Sequence, residues 1–150
     1  MYTVMFEIDT DNNGIKPVLD DYSWWMDLAR KIAIQSKTFE IRCWKDEAEA
    51  ISIGKRFGKP VENHETTEIV FTGLVTNTFV DYLCDDECHV SQIFTLNFYK
   101  GEELLFHSGH YGTEPVIFVK TKEEVQQLEE WSKQYPVIRA MNVYTNEGME

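Results

Sequence analysis

Five segments with strand composition follow one another between residues 67 and 120 with only short breaks: TEIVFTGLV (67–75), TFVDYLC (78–84), HVSQIFTLNFY (89–99), ELLFHSGH (103–110) and PVIFVK (115–120). A parallel neighbour needs a crossover of about a dozen residues or more, so breaks this short call for antiparallel pairing. In the third segment Phe94, Leu96 and Phe98 alternate with Thr95, Asn97 and Tyr99, the period of a half-buried strand. The KGEE sequence then turns the chain back, which predicts an antiparallel hairpin over 89–110.

The flanks supply helices. YTVMFEI (2–8) reads as a strand, and a helix is expected from Asp20 or Asp21 to about Gln35. Trp25, Leu28, Ala29 and Ile32 recur at helical spacing as its buried stripe, with Trp24 at the stripe's edge beside Asp27 and Lys31. TFEIRCW (38–44) alternates Phe39, Ile41 and Cys43 against Glu40 and Arg42, which makes Cys43 a small core residue of a strand. In DEAEAISIGKRFG, Asp46 followed by Glu49 reads as a capping box, and Gly58 suits the position past the helix end. A second box, Thr121 with Glu124, opens a helix whose apolar positions are Val125, Leu128, Trp131 and Tyr135. VIRAMNVY (137–144) is the last strand. Together these predict one α+β domain over residues 1–150. Its sheet is mostly antiparallel, of about five to seven strands, with three helices packed mainly on one face.

Charge narrows the function. The 150 residues carry a net charge of −12, and the split is uneven. Residues 1–60 hold ten acids and nine Lys/Arg, whereas residues 61–150 hold sixteen acids and five. Between Lys59 and Lys100 there is no Lys or Arg, but Glu62, Glu65, Glu68, Asp81, Asp85, Asp86 and Glu87 all fall there. A field of that sign repels phosphates, which disfavours direct nucleic-acid binding, and speeds association with a basic protein or a cation. No apolar run approaches the roughly 20 residues of a membrane span, and the N-terminus lacks the pattern of a signal peptide, so a cytoplasmic location is expected. Cys43, Cys84 and Cys88 are too few, and odd in number, for a disulfide framework.

Three stretches invite a cofactor. DTDNNGIKPVLD (9–20) places Asp9, Asp11, Asn13 and Asp20 at the ligand positions of a calcium loop, with Gly14 at the bend. Lys16, Pro17, the short Asp20 and the strand before the loop weaken that match, and Asn13-Gly14 is equally a tight turn leading to an Asp-capped helix. LCDDECHV (83–90) offers Cys84, Cys88 and His89, with His107 and His110 further on, but zinc needs four converging ligands. His107 and His110, three apart in a strand, should face opposite sides. The favoured reading is an exposed acidic bend, Asp85-Asp86-Glu87. GKRFGKP (54–60) has neither the glycine spacing nor the hydroxyl residue of a phosphate loop. No nucleophile elbow and no dinucleotide fingerprint is present.

The function class these features support is a non-catalytic acidic protein-binding module with no required cofactor. A small cytoplasmic acidic domain of this kind suits a bacterial immunity protein or antitoxin that occludes a basic toxin, often a nuclease; no motif here identifies one such family. Asp81, Asp85, Asp86 and Glu87 would pair with the partner's Lys and Arg, and Tyr82 and Tyr111 would serve as exposed aromatic anchors. The alternatives are a calcium-stabilised domain using the Asp9 loop and a small-molecule pocket between sheet and helices lined by Trp25 and Trp131. An enzyme with an unsignalled acid/base pair such as Asp81 and Glu103 is the remaining one.

Overall fold

The computed structural model describes residues 1–12, 17–19, 21–63 and 65–145. In chain order its elements are β1 (Tyr2–Ile8), β2 (Asp11–Asn12), β3 (Pro17–Val18), α1 (Ser23–Ala33), β4 (Thr38–Cys43), α2 (Ala48–Phe57), β5 (Lys59–Val61) and β6 (Ile69–Leu74). There follow α3 (Asn77–Leu83), a 3₁₀ turn (His89–Gln92), β7 (Thr95–Lys100), β8 (Glu103–Gly109), β9 (Glu114–Val119), α4 (Lys122–Ser132) and β10 (Ile138–Thr145). Eight strands form one sheet in the order β10-β1-β9-β8-β7-β4-β6-β5, and every neighbouring pair is antiparallel. β2 and β3 make a separate two-residue ribbon.

The α+β class and the antiparallel sheet are as the sequence predicts, but the counts are larger: eight strands in the sheet and four α-helices among the described residues. The main correction is TFVDYLC, which forms helix α3 and not a strand. Phe79, Val80 and Leu83 are its buried positions, and the Phe79 N–H donates to Thr76 Oγ1 at 3.1 Å, closing the first turn. HVSQ is likewise a 3₁₀ turn, so the hairpin begins at Thr95. Its turn is tight because Gly101 takes φ 63°, a left-handed conformation that costs glycine little.

All four helices meet one face of the sheet. Val4 and Phe6 of β1, Phe39, Ile41 and Cys43 of β4, and Leu96 and Phe98 of β7 alternate onto that face and are buried. Trp25 of α1 packs on Phe106, Phe79 of α3 stacks on Phe39 at 4.1 Å, and Trp131 of α4 meets Phe6 at 5.8 Å. α2 approaches β6 so closely that a Cβ on Gly54 would come within 2.3 Å of the Phe71 ring. These side chains form one contiguous core, and burial of this apolar surface is the main stabilising term.

Trp24 is fully buried, not at an edge. α4 covers that side of α1, with Trp131 Nε1–H donating to Asp27 Oδ2 at 2.6 Å and Tyr135 OH to the same oxygen at 3.2 Å. Trp25 has no exposed surface and its Nε1–H donates to Ser108 Oγ at 2.9 Å. Trp25 is therefore a core residue, whereas Trp131, though mostly buried, also borders an open surface groove with Lys31, Gln127 and Gln134. The Asp46–Glu49 box does not form. Residue Glu47 is the N-cap, without a side-chain cap bond, and its Oε1 accepts instead from the Trp44 N–H at 2.9 Å. The Thr121–Glu124 pair does close its helix: Thr121 Oγ1 accepts from the Glu124 N–H, and the Glu124 carboxylate accepts from the Thr121 hydroxyl in place of the backbone N–H of a full box, both at 3.1 Å.

Candidate functional site

The acidic bend predicted at 85–87 sits between α3 and the 3₁₀ turn. The Glu87 N–H donates to Asp85 Oδ1 at 2.9 Å, and the Cys88 N–H donates to the Asp85 carbonyl at the same distance. Buried Leu83 and Cys88 pin the two ends, and Asp85, Asp86 and Glu87 project from the surface. The Asp85 side chain is about half exposed: desolvation works against ionisation, but the Glu87 N–H, the His89 ring and the Cys88 N–H together outweigh it and hold the carboxyl below its ordinary value. His89 Nε2 lies 3.0 Å from Asp85 Oδ2 and 3.8 Å from Glu87 Oε2.

The remaining predicted contact residues are more committed than the sequence shows. Asp81 pairs with Arg30 at 3.0 Å. Tyr82 is half-buried, stacked on His89 at 4.1 Å and covered by the Arg56 guanidinium at 4.7 Å. Tyr111 is buried, at 7% exposure, so it is no surface anchor. Its OH donates to Glu47 Oε2 at 2.6 Å and its carbonyl accepts from Tyr22 OH at 3.1 Å. Burial, followed by the neighbouring Glu47, raises the Tyr111 phenol well above its ordinary value. The predicted surface thus divides: Asp81, Tyr82, Asp85, Asp86 and Glu87 share the α3 corner, while Tyr111 belongs to a second feature beside Glu47.

That second feature was not read from the sequence. Trp44, Glu47, Ala48, Gln92 and Tyr111 line an open groove of about 480 Å³, with Asp46 and Glu49 also on its walls. The indole of Trp44 is 36% exposed and rests against Phe94 at 5.1 Å, which in turn meets Tyr111 edge-on at 5.5 Å. The signal was present in CWKDEAE, where a tryptophan and three acids follow a strand directly. The capping-box reading of Asp46 and Glu49 concealed it.

A third constellation lies on the sheet face away from the helices. Arg42 Nε–H donates to Glu40 Oε1 at 2.9 Å, and Arg42 Nη1 lies 3.6 Å from Glu68 Oε1. Asn97 Nδ2–H donates to the same Glu40 oxygen at 3.0 Å, and Asn97 Oδ1 lies 2.7 Å from His107 Nδ1. A carboxylate accepts only, so Glu40 fixes the Asn97 amide, whose oxygen must then receive a proton from His107 Nδ1. The neutral ring therefore keeps its Nε2 as an acceptor. Burial lowers the His107 pKa, with Glu114 acting the other way.

The metal candidates do not assemble among the described residues, where no three His, Cys, Asp or Glu side chains converge as ligands. Asn13 and Asp20 lie outside the described residues, and Asp9 Oδ1 is 4.0 Å from Arg139 Nη1. Burial raises the thiols of Cys84 to about 11 and of Cys88 to about 12, so both are neutral thiols near pH 7. His110 pairs with Glu114 at 2.8 Å, away from His89. Asp81 and Glu103 share no site, since Glu103 lies 3.5 Å from Lys120. No helix among the described residues is long and apolar enough to cross a membrane. The chain matches no protein-family model, no curated protein and no solved structure.

Proposed function

We propose that this chain is a non-catalytic, acidic protein-binding module that occludes a basic surface of its partner, in the manner of a bacterial immunity protein or antitoxin working in the cytoplasm. The observation that carries the reading is the fixed acidic corner. Asp85, Asp86 and Glu87 stand exposed on a turn clamped by buried Leu83 and Cys88, within a stretch of forty residues that contains no Lys or Arg. Charges held on a rigid turn lose little freedom on binding, and their field steers a cationic partner into encounter. Arg30, Arg56 and His89 line the inner side of the corner and orient Asp81, Tyr82 and Asp85, leaving Asp86 and Glu87 outermost.

The test begins with the partner recovered from the native cell and identified by mass spectrometry. Its affinity is then measured for the wild type and for Asp85→Asn/Asp86→Asn/Glu87→Gln. Loss of three rim charges is expected to weaken binding about tenfold or more, mainly through the association rate. An unchanged Kd in a folded triple variant would remove the acidic corner from the account.

A further inference from the structure

The groove beside Trp44 has one aromatic wall, of which about a third is open to solvent. Large exposed aromatics at a concave site are the usual anchors of recognition. The groove is also rigid. Phe94 braces the indole from behind, Tyr111 braces Phe94, and Glu47 ties both ends by accepting from the Tyr111 OH at 2.6 Å and the Trp44 N–H at 2.9 Å. Ala48 and Ala50, the small residues of the first turn of α2, leave the space in front of the indole unfilled.

The chemistry of the lining then selects the occupant. Asp46, Glu47 and Glu49 are the ionisable groups on the walls besides Tyr111, and no Lys, Arg or His contributes to the lining. Among the described residues none of the three carboxylates has a basic side chain within 4.0 Å, unlike Asp81, Asp85 and Glu103 elsewhere. Both Glu47 oxygens accept from neutral donors, so its negative charge is held in place without being neutralised. A flat cation is complementary to this arrangement. A guanidinium stacks on an indole face while its fork of N–H donors reaches in-plane carboxylates, and a lysine ammonium satisfies only part of that geometry. We infer that the Trp44 groove receives an arginine side chain of the basic partner protein. This rests on the protein-binding reading above and gives it a central pocket in addition to the acidic corner.

The test titrates a capped tri-arginine peptide into the labelled full chain and follows the indole and backbone N–H signals by NMR, with the Trp44 indole signal assigned from Trp44→Phe. Saturable shifts are expected at Trp44, with tri-lysine binding more weakly. Trp44→Ala, and separately the exposed pair Asp46→Asn/Glu49→Gln, should each weaken the peptide about tenfold, the size of one desolvated cation–π or ionic contact. Neutralising residues 85–87 should leave this peptide's shifts at Trp44 unchanged. Diffuse shifts centred on the acidic corner and indifferent to Trp44→Ala, or no shifts at all, would overturn the groove while leaving the protein-binding reading intact. A native partner whose affinity falls on Trp44→Ala but ignores neutralisation of residues 85–87 would instead keep the groove and overturn the acidic-corner reading, and one that ignores both sets of changes would overturn both.

Discussion

Glu40 fixes the proton on His107 from two side chains away, through the amide of Asn97. The folded ring stays neutral below the ordinary histidine value of 6.5, because burial disfavours the imidazolium. Below that value the unfolded chain binds a proton that the folded chain does not, so stability falls as pH falls. The contribution is whole above 6.5 and is lost as pH drops through the folded value. We expect an NMR titration midpoint for His107 below 6.5, with the neutral ring protonated at Nδ1, and a shallower acid loss of melting temperature in His107→Gln. A midpoint at or above 6.5 would contradict the assignment. None of this was legible in the sequence. Glu40 stands far from the other two in the chain, and within the expected hairpin it is the register shift between Phe98 and Tyr99 that sets Asn97 opposite His107. Tyr111 failed for a similar reason: its exposure depends on Glu47 and Tyr22, contacts that no local pattern announces.

At the scale of elements, periodicity served well wherever one face alone is buried. β1, β4, the β7–β8 hairpin, α4 and the stripe of α1 all follow their patterns. α3 did not, because Phe79, Val80 and Leu83 fit a helix turn while the β-branched and aromatic content of TFVDYLC fits a strand. The deciding residue is Thr76, whose hydroxyl caps the helix from outside the segment. Thr76→Ala should therefore cost about 1 kcal/mol in urea unfolding. Thr78→Ala, at an exposed position with no cap role, should stay within about 0.5 kcal/mol of the wild type. Equal effects at the two positions would argue against the cap. β5 escaped notice because three exposed residues carry no period, and β6 alone defines it. The same α3 is what turns the acidic bend outward, so the misread element is the one that positions the predicted surface.

For the whole molecule, folding separates a layer of four helices from a sheet face left open, and gathers carboxylates at two places: the α3 corner, where Arg30 and His89 partner Asp81 and Asp85, and the Trp44 groove, whose lining holds no basic side chain. The charge map was visible in the sequence as a run without Lys or Arg; the groove was not, since it needs the 3₁₀ turn to bring Gln92 and the β8–β9 connection to bring Tyr111 beside the start of α2. Both features imply that recognition is electrostatic at encounter and that the groove adds specificity after it. The most direct test is the affinity for the native partner measured from about 0.01 to about 1 M salt, over which the screening length falls from about 30 to about 3 Å. A steady loss of affinity with salt is expected, carried mostly by the association rate, with a smaller slope in Asp85→Asn/Asp86→Asn/Glu87→Gln. An affinity that does not change with salt, in wild type and variant alike, would contradict it.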